Sequence, residues 1–149
     1  MKDEEKGEGE VKSEGQAAGQ TQARTAAPQE ARDLGERLLE YGARIIKLLE
    51  SLPNTLVARR VADQLLRSGT SVGANYEEAR AAESKEDFVH KLQIALKELR
   101  ESNYWLRLLL KSGKVSAARM ANLLDESNQL RAVLSKAVAT AKGRSKEKN

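Results

Sequence analysis

Between Phe88 and Leu109, residues recur at alternating steps of four and three: Phe88, Leu92, Ala95, Leu99, Ser102, Leu106 and Leu109. Steps of that size return to one side of an α-helix, whereas a strand would need a period of two. A stripe this long stays out of water only if neighbouring elements cover it, so the chain should be an assembly of packed helices. The joining stretch from Ser71 to Leu110 also carries polar residues, Asn75, Glu78, Glu101 and Asn103, that the stripe does not explain.

Three more segments repeat the pattern. Leu34, Leu38, Tyr41, Ile45, Leu48 and Leu52 are spaced four, three, four, three and four, and Leu39, Ile46 and Leu49 widen the face. This first helix should start near Glu30, after Pro28, and end at Pro53, because the residue before a proline avoids the helical region. A second helix should open with Asn54 as N-cap, carry Ala58, Val61, Leu65, Ser68, Val72 and Ala79 inward, and run to about Ala82. Gly69 and Gly73 lie inside it at about 1 kcal/mol each relative to alanine. Either the helix breaks there, or the glycines permit a close backbone approach. The register continues across them, which favours one long helix with room for a kink. Ser84, with Asp87 three residues on, is a cap signature for the third helix, which should run to Lys111 and stop at a left-handed Gly113. The fourth should begin near Val115 or Ser116, turn Met120, Leu123, Ser127, Leu130, Leu134, Ala137 and Ala141 inward, and end at Gly143.

No segment alternates with period two, so no sheet is expected. The fold class is all-α: an antiparallel up-down-up-down four-helix bundle over residues 31–141, with short turns. Residues 1–30 are rich in Glu, Gly, Gln and Ala, and Val11 is their only large aliphatic residue after Met1. Such a segment buries too little to offset its ordering entropy and is expected to be a disordered acidic tail. Residues 142–149 form a basic C-terminal tail. The N-terminal MKDEEKGEGE has no apolar centre, and no apolar run approaches the ~18 residues of a membrane span, so a cytoplasmic protein without membrane contact is expected.

The 149 residues carry a net charge of +4. Residues 1–30 hold four basic and seven acidic side chains, so the rest of the chain carries +7. A basic body suits polyanions, nucleic acid first among them, although a soluble helical surface rich in Lys and Arg has the same charge.

Catalysis finds little support. A carboxylate-bridged dimetal bundle needs two Glu-x-x-His motifs, and the single histidine gives only Asp87-x-x-His90. There is no cysteine, no strained elbow for a Ser/His/Asp set, and no glycine-rich phosphate loop after a strand. No enzyme, metal or cofactor is expected.

Two constellations remain. Ser71, Asn75 and Glu78 share a face of the second helix, and Glu101 and Asn103 lie on the facing helix. A buried network drawn from Ser71, Asn75, Glu78, Glu101 and Asn103 would fix the register of the two helices, which is a structural role. The second constellation is basic: Arg59, Arg60 and Arg67 on the second helix, and Lys91, Lys97, Arg100, Arg107 and Lys111 on the third. Pairing within a helix could neutralise Arg59, Arg60 and Arg67 through Asp63, Lys91 through Asp87, and Lys97 through Glu101. It leaves Arg100, Arg107 and Lys111, which line one face. With five aromatic residues in the chain, base stacking should not dominate, and binding should be directed at the backbone and sensitive to salt.

The residues Leu65-Leu66-Arg67-Ser68, Ser71-Val72-Gly73-Ala74-Asn75-Tyr76-Glu77-Glu78, Asp87-Phe88, and Ile94-Ala95 with Glu98, Glu101 and Tyr104-Trp105-Leu106 form a recognisable set. Through them, from about Leu34 to Ala139, the chain resembles the bacterial four-helix-bundle family encoded in intervening sequences of 23S ribosomal RNA genes. That family also includes the accessory variability protein of diversity-generating retroelements. The resemblance implies a ring-like homopentamer, a basic surface for structured RNA or an RNA/DNA complex, a reverse transcriptase partner in retroelement members, and no catalysis. It also implies that Ser71, Asn75, Glu78 and Glu101 are recurring structural positions. The alternative function is a purely structural or protein-interaction module without nucleic-acid binding.

Overall fold

A computed structural model describes residues 29–146, with side chains from 33 to 143. Four helices follow one another: α1 (Gln29–Glu50), α2 (Leu56–Arg80), α3 (Lys85–Lys111) and α4 (Ala117–Lys146), and there is no strand among the described residues. The acidic tail, apart from the two residues that open α1, lies outside the described residues, as do residues 147–149.

Side-chain caps set the boundaries. Thr55 caps α2: its backbone is extended and its hydroxyl accepts from the amide of Ala58 at 3.2 Å. Asn54, expected in that role, instead accepts a hydrogen bond from the Arg59 guanidinium at 2.8 Å. Ser84 caps α3 through the amide of Asp87 at 3.0 Å, as its spacing predicts. Gly113 adopts φ 75°, and the amide of Lys114 reaches back to the carbonyl of Leu109 at 3.1 Å, which closes a Schellman end on α3. Ser116 accepts from the amide of Arg119 and starts α4. That helix does not stop at Gly143. It continues to Lys146, since an interior glycine lowers helix stability by only about 1 kcal/mol and no proline follows. The basic residues 142–146 are therefore helical.

Successive helices are antiparallel. Gly35 lies beside Glu77, Leu38 over Gly73 and Ile45 over Gly69, so α1 ascends as α2 descends. Arg67 reaches Glu98 and Lys91 reaches Glu78, which reverses α3 against α2. Gly69 and Gly73 sit in an unbroken α2 and let α1 close in. A Cβ on Gly69 would collide with Cδ1 of Ile45, and one on Gly73 would meet Leu38 at 3.5 Å. The expected stripes form the core, with Tyr41, Ile45, Leu65, Leu99, Leu106, Leu130 and Leu134 inaccessible to solvent. Burial of a side chain of this size contributes about 1.5–3 kcal/mol. Leu39 and Ile46 do not widen that core. They remain 67% and 41% exposed on the outer flank of α1, because the glycine contacts already seal the α1/α2 seam inside them.

Candidate nucleic-acid interface

Of the expected polar network between α2 and α3, Asn103 alone is buried and bonded, and its partners lie on α4, so the other four members and the place are corrected. Ser71 bonds the carbonyl of Arg67, and Asn75 bonds the carbonyl of Ser71 at 2.8 Å, so both remain on their own helix. Glu78 is exposed and accepts from Lys91 at 2.7 Å, while Glu101 pairs with Arg67. These four were expected to be buried, but the three on α2 and Glu101 on α3 lie at the rim of the α2/α3 seam, where water reaches them. The buried network lies elsewhere. Tyr41 on α1 shares a 2.7 Å bond with Ser102 on α3 and donates to Ser127 on α4, while Asn103 donates to Ser127 at 3.0 Å and to Asn128 at 3.0 Å. Ser102 and Ser127 fill apolar-stripe positions, which is the signal that sequence offers for them.

The ion pairs then sort the cations. Arg67 is held by Glu98 at 3.1 Å and by Glu101, across the seam and not by Asp63 along its helix. Lys91 is held by Glu78, across the turn and not by Asp87, and that bond raises its pKa. Arg59 bonds Asn54. Among the described residues, Arg60, Lys97, Arg100, Arg107 and Lys111 take part in no ion pair, and all five are exposed.

Four of those five lie on α3 at steps of three, seven and four, hence on one face. Part of this face borders an open groove of about 600 Å³ between α3 and α4. Lys97, Arg100, His90 and Gln93 line it from α3, Ser135 and Lys142 line it from α4, and no acidic side chain does. Sequence reasoning missed Lys142 by assigning it to the tail, although Ser135 and Lys142 are seven residues apart on a continuing helix. Arg60 lies on α2, seven residues before Arg67. No group of three or more potential metal ligands is found among the described residues, and no helix among them is long and apolar enough to cross a membrane.

The profile of the 23S rRNA-intervening sequence proteins matches residues 33–136, which is most of the chain. The chain belongs to that family. A crystal structure from Bacteroides thetaiotaomicron, described as a protein with unknown function from the S23 ribosomal protein family, is 33% identical. The match covers 74% of this chain and 98% of that one, with a TM-score of 0.67. No curated protein matches. In this member of the intervening-sequence protein family, the matched span holds all eight basic residues singled out from the sequence, while Lys142 lies just beyond it.

Proposed function

We propose that this intervening-sequence protein is a non-catalytic, self-associating bundle that binds nucleic acid through the α3 face bearing Lys97, Arg100, Arg107 and Lys111. The observation that carries the reading is the contrast between seams. Where α2 meets α3, the cations are neutralised by Glu78, Glu98 and Glu101, whereas on the outer α3 face four cations have no acidic partner among the described residues. Unpaired cations in a row attract phosphates and release condensed counterions on binding. The groove extends the charge to Lys142 on α4.

Self-association, in the pentameric form the family resemblance implies, draws support from Leu39, Ile46 and Leu66. These large apolar residues are more than 40% exposed on the outer side of the α1/α2 pair, where a second copy would cover them. That strip equally favours the reading of a protein-interaction module without nucleic acid.

Titration of a labelled RNA against the full chain at several salt concentrations separates the two. Affinity should fall steeply as salt rises, and replacement of Lys97, Arg100, Arg107 and Lys111 by Gln should remove most of it. A variant that binds like the parent would exclude this face. A solution mass of one protomer would exclude self-association.

A further inference from the structure

The cationic face of α3 has an aromatic residue at its centre. Lys97, Arg100, Tyr104, Arg107 and Lys111 follow at steps of three, four, three and four, so Tyr104 stands on the same ridge with one arginine a turn before it and another a turn after. At 1.5 Å per residue the ridge is about 21 Å long, and its arginines are about 10 Å apart. Tyr104 is 54% exposed, unlike Tyr41 and Tyr76, which are buried. Its only aromatic neighbour among the described residues is Trp105, whose ring lies edge to face with it at a centroid distance of 5.1 Å and an angle of 74°. Trp105 packs against the core, so it braces the tyrosine ring from one side.

Apart from the contact with Trp105, nothing among the described residues accounts for an exposed ring at that position. Its hydroxyl makes no hydrogen bond to the described residues, and neither flanking guanidinium stacks on it. A duplex presents phosphates and groove edges to a convex helical ridge, and the major groove of A-form RNA is too deep and narrow for side chains to read. The face of an aromatic ring between cations would find no base to stack on in such a ligand. Unpaired nucleotides differ, because their bases splay out and stack on exposed aromatic rings while cations hold the phosphates on either side.

We infer that this ridge takes an unpaired stretch of nucleic acid, with one base stacked on Tyr104 and the flanking phosphates on Arg100 and Arg107. The inference rests on the nucleic-acid reading above and narrows it: the ligand's contact region is single-stranded, and stacking adds to the backbone-directed binding expected from composition.

The test compares an unstructured 20-nucleotide RNA with a 20-base-pair RNA duplex in anisotropy titrations of the full chain. The unpaired RNA should bind tighter. Tyr104→Leu should weaken it by roughly 5- to 100-fold, the range of a lost base stack, with the salt slope unchanged. Tyr104→Phe should retain the affinity, and duplex binding should not respond to either change. Equal binding of the unpaired RNA by Tyr104→Leu and the parent, or a preference for the duplex, would overturn the inference. The double variant Arg100→Gln/Arg107→Gln keeps the two readings apart. If it loses binding while Tyr104→Leu does not, the basic ridge stands and the stacking fails. If neither variant loses binding, both fail. Tyr104 is exposed, so its removal leaves the core intact, which a melting curve verifies.

Discussion

The phenolic oxygen of Tyr41 on α1 lies 2.7 Å from the hydroxyl of Ser102 on α3, and both side chains are fully buried. Tyr41 also donates to Ser127 on α4 at 3.2 Å, so one hydroxyl joins three of the four helices at the same level. Buried polar atoms away from a partner are costly, and this geometry therefore penalises any sliding of α1 along its neighbours.

Tyr41→Phe retains the ring and removes only that hydroxyl. Ser102 keeps its bond to the carbonyl of Leu99, and Ser127 keeps that from Asn103. The bundle should lose about 1–2 kcal/mol, the usual cost of a broken buried hydrogen bond. A lower urea midpoint at unchanged slope is the expected reading, and an unmoved midpoint would mean that the hydroxyl contributes nothing.

Alkali should destabilise the fold through the same residue. Burial raises the pKa of Tyr41 above the ordinary 10.0, outweighing its bonds to Ser102 and Ser127, and burial also raises that of Tyr76. The unfolded tyrosine loses its proton first as pH rises past about 10, so the folded state binds more protons there and stability declines with pH. The hydrogen bond from Lys91 to Glu78 acts in the same direction, because its raised pKa gives stability that is present below the ordinary lysine value and lost above it. Urea midpoints should fall as pH rises beyond 10, and Tyr41→Phe should make the decline shallower.

Two glycines on α2 should respond oppositely to alanine. Alanine gains about 1 kcal/mol over glycine in a helix interior. At Gly69 the new methyl would strike Cδ1 of Ile45, which is fully buried and can turn aside only by disturbing its packed neighbours, so Gly69→Ala should be net destabilising by about 1–3 kcal/mol. At Gly73 the nearest atoms, in Leu38, stand at 3.5–3.6 Å, which is ordinary contact. Gly73→Ala should be neutral or raise the melting temperature. Equal effects at both positions would refute the close approach of α1 at Gly69.

The four ridges, the long α2 and the ends of α3 were legible because each rests on contacts within a few residues. The periodicity of Phe88 to Leu109, the hydroxyl of Ser84 and the backbone freedom of Gly113 act locally. What sequence did not give are pairings across seams. Arg67 could meet Asp63 one turn earlier on its own helix or Glu98 and Glu101 across the gap, and spacing favoured the near partner while the structure chose the far ones. Ser102 and Ser127 read as gaps in apolar stripes, since the tyrosine that satisfies them is 61 and 86 residues away. Thr55 displaced Asn54 because two adjacent residues can both cap and only the angle of entry decides. Tyr104 shares the register of Arg100 and Arg107, but its exposure became known only once the bundle closed.

The distinction between paired and unpaired arginines gives the last prediction. Arg67→Gln and Arg107→Gln each remove one positive charge from α2 or α3, so a binding surface governed by net charge alone would register them equally. Arg67 is already committed to Glu98 and Glu101, an exposed pair that contributes about 0–1 kcal/mol. Its loss should lower stability by no more than that and leave RNA affinity nearly unchanged. Arg107 has no partner among the described residues, so its loss should leave the melting curve within about 0.5 kcal/mol. It should nevertheless weaken RNA binding at low salt and flatten the log–log salt dependence by about 0.7–0.9, the share of one phosphate contact. Equal losses of affinity from the two substitutions would mean that binding follows overall charge, and that the α3 ridge has no special part in it.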